Sequence, residues 1–194
     1  MMKTKKLILA SGSPRRREIL ESAGYVFTVI TPDADEVKEG PSPKDLATKN
    51  SELKAKAAVK LTDGIIICAD TVVSLGDKIL GKPKNEENAK EMLRALSNNT
   101  HTVITGYTVT DGEKFISGHV KTEVTMRRIH EDEIESYVTL CSPLDKAGAY
   151  GIQEAAGMFV SGISGDYYNV VGLPLSKISE ILREEFDLCA FTNK

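Results

Sequence analysis

The segment Ile65-Ile66-Ile67-Cys68-Ala69 is the feature that most restricts how this 194-residue chain can fold. Five consecutive apolar residues leave no side for solvent, so the pattern predicts a strand that is buried on both faces. Such a strand lies in the middle of a sheet that helices cover on both sides. The run continues into Asp70-Thr71-Val72-Val73, which predicts a carboxylate at the end of a core strand. A carboxylate in that position must be paired, hydrogen-bonded or bound to a metal.

Apolar periodicity, helix-start residues and turn residues predict the remaining elements. A strand–helix alternation is followed by an antiparallel pair joined at Asp111-Gly112, a strong hairpin signal. We therefore expect an α/β fold, with one domain over residues 1–194, two lobes being possible within it, and one curved mixed sheet flanked by helices. The predicted strands are residues 7–10, 26–30, 65–69 with Asp70 at the end, 101–110 and 114–126; the predicted helices are 14–23, 44–61, 86–96, 131–140 and 175–186; and residues 146–172 are predicted as turns and short strands.

Composition and charge exclude several classes of protein. The formal net charge of −3 is unlike the basic excess of proteins that coat nucleic acid. The four apolar residues after Lys6 are too few for a signal-peptide core, and no later apolar run reaches the roughly 18 residues of a membrane span. The three cysteines and three histidines lack the spacing of a disulfide framework, a zinc site or a catalytic triad. We expect a cytoplasmic protein without nucleic-acid or membrane partners.

Three consecutive arginines, Arg15-Arg16-Arg17, occupy the first turn of a predicted helix that follows a strand and a turn. The partial positive charge of a helix N-terminus disfavours a cation there by a few tenths to about 1 kcal/mol. An anion offsets this cost, because the free N–H groups after Ser13 and the guanidinium groups of Arg15 and Arg16 can converge on one phosphate. A solvated basic helix face is the alternative, but three arginines directly after a strand favour the phosphate site.

Other polar residues are candidates for the same site, each with an ordinary alternative. Asp35 or Glu36 can share a divalent cation with Asp70, since Mg²⁺ prefers one or two carboxylates plus phosphate oxygens, or the two can form an ordinary acidic loop. Lys54 and Lys82 are candidate phosphate contacts, although a single lysine is usually just exposed. Asp145-Lys146 and residues 165–169 bracket Gln153 and predict either the wall of a base pocket or structural turns.

Together these segments resemble the Maf family, also called septum formation inhibitor proteins. The resemblance covers nearly the whole chain, and so many ordered blocks are hard to obtain by chance. The first block contains Ser11-Gly12-Ser13-Pro14-Arg15-Arg16. The matching blocks are residues 9–18, 33–36, 54–57, 69–73, 81–83, 145–153 and 165–174.

The resemblance implies a fold like that of the inosine triphosphate pyrophosphatases and hydrolysis of a nucleoside triphosphate to the monophosphate and pyrophosphate. It implies a divalent cofactor, Mg²⁺ or Mn²⁺, and a homodimer. The last two blocks look like the subgroup that acts on dTTP and UTP, with modified pyrimidine nucleotides as an open alternative. The implied roles are Asp70 as proton acceptor with Glu36 and Lys82 as further catalytic residues; Arg15, Thr71 and Gln153 for base selection; Ser13, Arg16, Lys54 and Lys82 for phosphate; and Asp70 with Glu36, favoured over Asp35, for metal.

In the mechanism that we expect, Asp70 orients or deprotonates a water aimed at the α-phosphorus, and Arg16, Lys54 and Lys82 stabilise the leaving pyrophosphate. Thr71 is expected to hold the amide of Gln153 in the orientation that suits uracil and thymine. Nucleotide-pool cleansing and cell division arrest are the implied roles. The rival function is a nucleotide-sensing regulator of cell division without turnover. An RNA-binding module is disfavoured by the acidic balance.

Overall fold

The computed structural model describes residues 6–191, in which seven strands form one open sheet. The strands are β1 (Leu7–Ala10), β2 (Thr28–Ile30), β3 (Ile65–Leu75), β4 (Lys78–Leu80), β5 (Thr100–Thr110), β6 (Phe115–Met126) and β7 (Val160–Ser164). The helices are α1 (Pro14–Ser22), α2 (Pro43–Ala58), α3 (Glu86–Leu96), α4 (Glu131–Cys141), α5 (Tyr167–Val171) and α6 (Leu175–Phe186). Short 3₁₀ turns cover Pro143–Asp145, Ala147–Ala149 and Ala155–Phe159.

The sheet is mixed, with the strand order β2-β1-β3-β5-β6-β7 and β4 paired to β3. β1 runs parallel to β2 and β3, and all other pairs are antiparallel. The predicted α/β class with a mixed sheet and flanking helices is therefore confirmed. Residues 1–5 and 192–194, which the single-domain prediction includes, lie outside the described part. No helix among residues 6–191 is long and apolar enough to cross a membrane.

Most predicted elements form close to their expected bounds. β1, α3, α6 and the β5–β6 hairpin agree with the sequence within a residue, while β2 is shorter and α2 ends at Ala58. Helix α5 was not predicted. It forms because the side chain of Asp166 accepts hydrogen bonds from the backbone N–H groups of Tyr168 and Asn169, at 2.8 and 3.2 Å, and so caps a single short helix.

Strand β3 lies in the middle of the molecule, as its apolar run predicts. Ile65, Ile67 and Ala69 belong to the core beneath α1 and α6, whereas Ile66 and Cys68 pack against α2. The prediction that Asp70 ends this strand is wrong, because β3 continues to Leu75. The backbone of residues 70–74 remains extended because β5 pairs with β3 from Ile66 to Ser74. Asp70 is therefore held in the middle of a paired strand.

One edge of β3 is open beside Asp70. β1 pairs with Ile65–Ile67 and β4 pairs with Val73–Leu75, so within the described chain residues 68–72 have no ladder partner on that edge. β1 stops at Ala10, where the chain turns into α1. Because successive side chains on a strand point to opposite faces, Asp70 faces α2 and Thr71 faces the α1 side. The open edge lets both side chains reach one cleft.

Gly106 on β5 determines how close α2 approaches the sheet. It lies opposite Asp70 in the β3–β5 ladder. A Cβ atom added at Gly106 would lie 2.2 Å from the backbone C and O of Ala47 in α2. Any side chain at this position would push α2 away from the sheet. The close contact therefore places the following turns of α2 directly over Asp70.

We expect Gly106→Ala to destabilise the protein by about 1–3 kcal/mol, the usual cost of overpacking. For a chain of this size the melting temperature should fall by about 2–12 °C. The matched control is Gly162→Ala in β7, where no atom of the described residues beyond the chain neighbours lies within 4 Å of the added Cβ. Thermal unfolding followed by circular dichroism measures both variants. Equal melting temperatures for the two would contradict the close packing of α2.

Candidate active site

A cleft of about 440 Å³ opens at the unpaired edge of β3. The chain brings its wall together from distant segments: the β1–α1 turn, the loop before α2, the middle of β3, the loop after β4, and the turns after α4 and α5. All nine site residues predicted from the sequence line it, whereas Asp35, the alternative to Glu36, does not. These nine are Ser13, Arg15, Arg16, Glu36, Lys54, Asp70, Thr71, Lys82 and Gln153.

The carboxylate of Asp70 is held from above by α2. Lys54 Nζ lies 2.7 Å from Asp70 Oδ1, and both side chains are only 15% exposed. The same ammonium lies 3.3 Å from Glu36 Oε2, whose side chain is 47% exposed. Lys54 therefore joins the two predicted acidic residues. The two carboxylates share one cation and are held on the same side of the cleft.

Asn50 is a residue of this site that the sequence reasoning missed. It is buried, and its Nδ2 donates to Asp70 Oδ2 at 3.2 Å and to the carbonyl of Val37 at 3.1 Å. Its Oδ1 accepts from the N–H of Val37 at 2.9 Å. One amide thus attaches the loop that carries Glu36 to the side chain of Asp70. The signal was the spacing, because Asn50 and Lys54 are four residues apart on one helix face.

Arg16 is buried under the cleft and is almost fully engaged by the protein. Its Nε donates to the carbonyl of Gly172 at 2.7 Å, and Nη1 donates to Ala69 O and Ser11 Oγ at 2.8 and 3.1 Å. Nη2 donates to Thr71 Oγ1 at 3.1 Å. Four of its five N–H groups therefore have protein acceptors. Burial lowers the pKa of Arg16, an effect that the nearby Asp70 opposes.

The three arginines have three different environments. Arg16 fills the open edge of β3, Arg15 contacts Asp145 and Glu154, and Arg17 forms an exposed pair with Glu21 at 2.7 Å. The sequence predicted that Arg15 and Arg16 converge on one phosphate. In the structure the two side chains instead make contacts in two different places. The predicted helix start is confirmed, since Ser13 is the N-cap residue and Pro14 begins α1.

The hydroxyl of Thr71 lies at the end of a buried polar chain. It is 3.0 Å from Thr105 Oγ1, and Thr105 in turn donates to the carbonyl of Asn169 at 2.9 Å. Because Thr105 has used its only proton, Thr71 must donate to Thr105. The hydroxyl of Thr71 then faces Arg16 as an acceptor and is not the partner of Gln153. The expectation that Thr71 orients the Gln153 amide finds no support in this geometry.

The segments around Gln153 differ in their roles. Asp145, Lys146 and residues 150–153 line the cleft, and exposed Gln153 is among them. In the other segment, Asn169 is fully buried and its side chain bonds to the backbone of Val103 and Thr105. The first segment is therefore a cleft wall and the second is mainly a structural turn. The sequence alone left both interpretations open.

Lys82 approaches the cleft from the loop after β4. It is exposed, and the preceding Gly81 carbonyl accepts a hydrogen bond from the N–H of Gly148 at 3.1 Å. This backbone bond connects the Lys82 loop to the turn that carries Lys146. The two loops are therefore held together, although they are more than 60 residues apart in the sequence.

Asp70 and Glu36 are the acidic oxygen donors on the Lys54 side of the cleft. Among residues 6–191 no group of three or more His, Cys, Asp or Glu side chains could hold a metal ion. Mg²⁺ is commonly bound through one or two carboxylates plus substrate phosphates, so a site with only two protein carboxylates fits that ion. A cluster built from protein ligands alone does not occur in the described chain.

Comparison with known proteins finds relatives over nearly the whole chain. A family model described as Maf-like protein matches residues 6–185. A dTTP/UTP pyrophosphatase from Bacillus cereus (strain G9842) is 46% identical over 186 residues, which are 95% of this chain and 97% of the relative. The protein of the same name from Bacillus thuringiensis subsp. konkukian (strain 97-27) is 46% identical over 182 residues, covering 93% and 95%.

Solved structures of Ham1 proteins overlap with part of the chain. The Staphylococcus aureus Ham1 protein has a TM-score of 0.46 and 16% identity, covering 63% of this chain and 72% of its own. A HAM1 protein from Coxiella burnetii has a TM-score of 0.48 and 18% identity, covering 65% and 75%. The family model, in contrast, spans nearly the whole described chain. On that match and on the near-full-length relatives, the chain belongs to the family of Maf-like proteins.

Proposed function

We propose that this protein hydrolyses UTP and dTTP to the nucleoside monophosphate and pyrophosphate. The observation that carries the proposal is the position of Asp70, a carboxylate in the cleft held by Lys54 and Asn50 and close to several cations. The proposal is supported by relatives named dTTP/UTP pyrophosphatase that are 46% identical over nearly the whole chain. We also propose that it acts in the cytoplasm, where these nucleotides are found.

Asp70 is proposed to orient or deprotonate the attacking water. The contacts from Lys54 and Asn50 fix the plane of the carboxylate, and each oxygen keeps a lone pair for a water molecule. A bound Mg²⁺ or Mn²⁺ at Asp70 and Glu36 would neutralise phosphate charge and bring the phosphate close to the carboxylate. Because Glu36 is half exposed and lies 3.3 Å from Lys54, it can exchange that partner when substrate arrives.

Cations around the carboxylates are proposed to stabilise the leaving pyrophosphate. Lys54 supplies an ammonium group held by Asp70 and Glu36, Lys82 supplies an exposed ammonium group, and Ser13 lies at the N-terminus of α1. Arg16 has one N–H without an acceptor among residues 6–191, so its contribution to phosphate binding is through that N–H and through its fixed charge. Fixed donors and charges that face a developing negative charge are a large source of rate enhancement.

The first test of this proposal is the position of bond cleavage. We expect UTP to give UMP and pyrophosphate as initial products, measured by ion-exchange chromatography in the presence of Mg²⁺. In ¹⁸O-labelled water the label should enter UMP, because the attack is on the α-phosphorus. UDP and orthophosphate as initial products would contradict the proposal. Binding of UTP without any turnover would instead favour a nucleotide sensor.

Asp70→Asn keeps the shape of the side chain but removes the proton acceptor and one negative charge. We expect UTP turnover to fall by roughly 10²–10⁴-fold, the usual cost of a lost general base. Circular dichroism and thermal unfolding should show a folded protein. The matched control is Asp77→Asn in the exposed β3–β4 turn, which should retain full activity. Normal turnover by a folded Asp70→Asn variant would show that another carboxylate is the proton acceptor, and Glu36 would be tested first.

Gln153 is proposed to take part in base selection. Its amide can pair with the O4 and N3–H of uracil or thymine, and it discriminates against cytosine when the bound state holds the amide in that orientation. For Gln153→Ala we expect the UTP to CTP ratio of kcat/KM to fall by about 2- to 12-fold, the value of one neutral hydrogen bond. Because Gln153 is exposed, the melting temperature should hardly change. The control is Met158→Ala, which is 63% exposed and outside the cleft wall. An unchanged ratio would remove Gln153 from base selection.

A further inference from the structure

Lys146 is a buried lysine whose position neither the predicted catalytic group nor the predicted phosphate contacts explain. It follows the 3₁₀ turn Pro143–Asp145 and lines the cleft, yet only 10% of its side chain is exposed. Its stem packs on Gly151, where an added Cβ would lie 3.1 Å from Lys146 Cε. Lysine is seldom buried unless it is paired. The burial of Lys146 must therefore be explained by the side chains that pair with it.

Two carboxylates hold the ammonium of Lys146 in place. Its Nζ lies 2.8 Å from Asp145 Oδ1 and 3.2 Å from Glu154 Oε2. The other oxygen of each carboxylate faces Arg15 Nη1, at 3.7 Å for Asp145 and 3.5 Å for Glu154. The group, which we call the base-end cluster, consists of Arg15, Asp145, Lys146 and Glu154. Two cations and two anions give it a net charge of zero.

The two carboxylates lie closer to Lys146 than to Arg15. The ammonium of Lys146 is therefore held more firmly than the guanidinium of Arg15. An ammonium has three N–H donors, and Asp145 and Glu154 take two of those of Lys146. Burial acts to lower the pKa of Lys146, but the two carboxylates outweigh burial and raise the pKa above its ordinary value. The side chain is therefore a fixed cation with one N–H available to a ligand in the cleft.

The charges favour a neutral ligand group at this end of the cleft. A triphosphate approaching the base-end cluster would meet the carboxylates of Asp145 and Glu154, and like charges repel. At the Asp70 end, Lys54 and Arg16 match the carboxylates of Asp70 and Glu36, and the proposed attack of a water oriented by Asp70 requires the α-phosphorus to lie there. The phosphates are thus placed near Asp70, and the nucleobase near the base-end cluster.

We propose that Lys146 is a specificity-determining residue that donates a hydrogen bond to the O4 carbonyl oxygen of a uracil or thymine base. An ammonium can only donate, so it requires an acceptor on the base. The O2 acceptor is common to uracil, thymine and cytosine, but O4 is present only in uracil and thymine, and cytosine carries at that position an amino group that is itself a donor. The inference rests on the proposed function, because it assigns the base that the same cleft takes.

The test compares the wild-type protein with Lys146→Met, and measures kcat/KM of each for UTP and for CTP. We expect Lys146→Met to lower kcat/KM for UTP by about 10- to 100-fold, the value of a hydrogen bond to a charged group, and to leave CTP nearly unchanged. The UTP to CTP ratio should fall by the same factor. Binding of α,β-methylene UTP and α,β-methylene CTP, measured by calorimetry with Mg²⁺, should show the same loss without turnover. The control is Lys60→Met, an exposed lysine outside the cleft.

We expect the Lys146→Met variant to fold, because the two carboxylates that pair with Lys146 are exposed to water. The side chains of Asp145 and Glu154 are 62% and 42% exposed, so water can solvate them when Lys146 is replaced. Lys146→Gln provides a second variant, since an amide can either donate or accept. If the proposal holds, this variant gains activity on CTP relative to Lys146→Met. Equal activity of both variants on CTP, together with an unchanged UTP to CTP ratio, overturns it.

The outcomes separate this inference from the proposed function. If the wild-type protein does not release pyrophosphate from UTP or dTTP, the proposed function fails. If the wild type prefers UTP and Lys146→Met keeps that preference, only the role of Lys146 fails. A loss that is equal for UTP and CTP, with a lower melting temperature, identifies Lys146 as a purely structural residue. A selective loss for UTP in calorimetry and turnover supports base recognition.

Discussion

The buried guanidinium of Arg16 is the interaction on which the geometry of the cleft depends. In the part of the chain that the structure describes, β3 lacks a strand partner along residues 68–72 on one edge, and Arg16 donates to the carbonyl of Ala69 in that gap. The same side chain bonds to Ser11, Thr71 and Gly172. One cation thus joins the β1–α1 turn, the central strand and the end of α5. A planar group with five donors can do this, whereas lysine offers one point charge.

The close packing of α2 on β5 supplies the second constraint. Because Gly106 has no side chain, α2 lies near enough for Asn50 and Lys54 to reach Asp70. A carboxylate within a paired strand would be costly to bury without such partners. Asn50 also holds the backbone of Val37, so the loop with Glu36 is fixed relative to the same carboxylate. The packing of α2 against the sheet therefore determines the positions of the polar side chains around Asp70.

The two ends of the cleft differ in how their charges are held, and the proposed function gives the substrate a direction between them. Near Asp70, Lys54 is shared by the carboxylates of Asp70 and Glu36, and Lys82 adds an exposed cation to the same cleft. The base-end cluster is neutral and its charges are already paired. In the proposed reaction the α-phosphorus lies close to Asp70, and the paired cluster offers a fixed donor to a neutral base.

The sequence by itself determined the α/β class, the buried strand β3, the hairpin of β5 and β6, and the set of nine residues that line the cleft. The class, the buried strand and the hairpin follow from local periodicity and turn residues, which act over short distances, whereas the full set of nine residues was implied by the ordered motifs that resemble the Maf family. Only the tertiary structure placed Asp70 within β3, because the length of that strand depends on pairing with β5. The tertiary structure likewise decided three other features: the partners of Arg16, the hydrogen bonds of Asn50 to Asp70 and Val37, and the pairing of Lys146 with Glu154. They join residues that are distant in sequence or depend on side-chain direction, and no local pattern encodes which buried polar groups will meet.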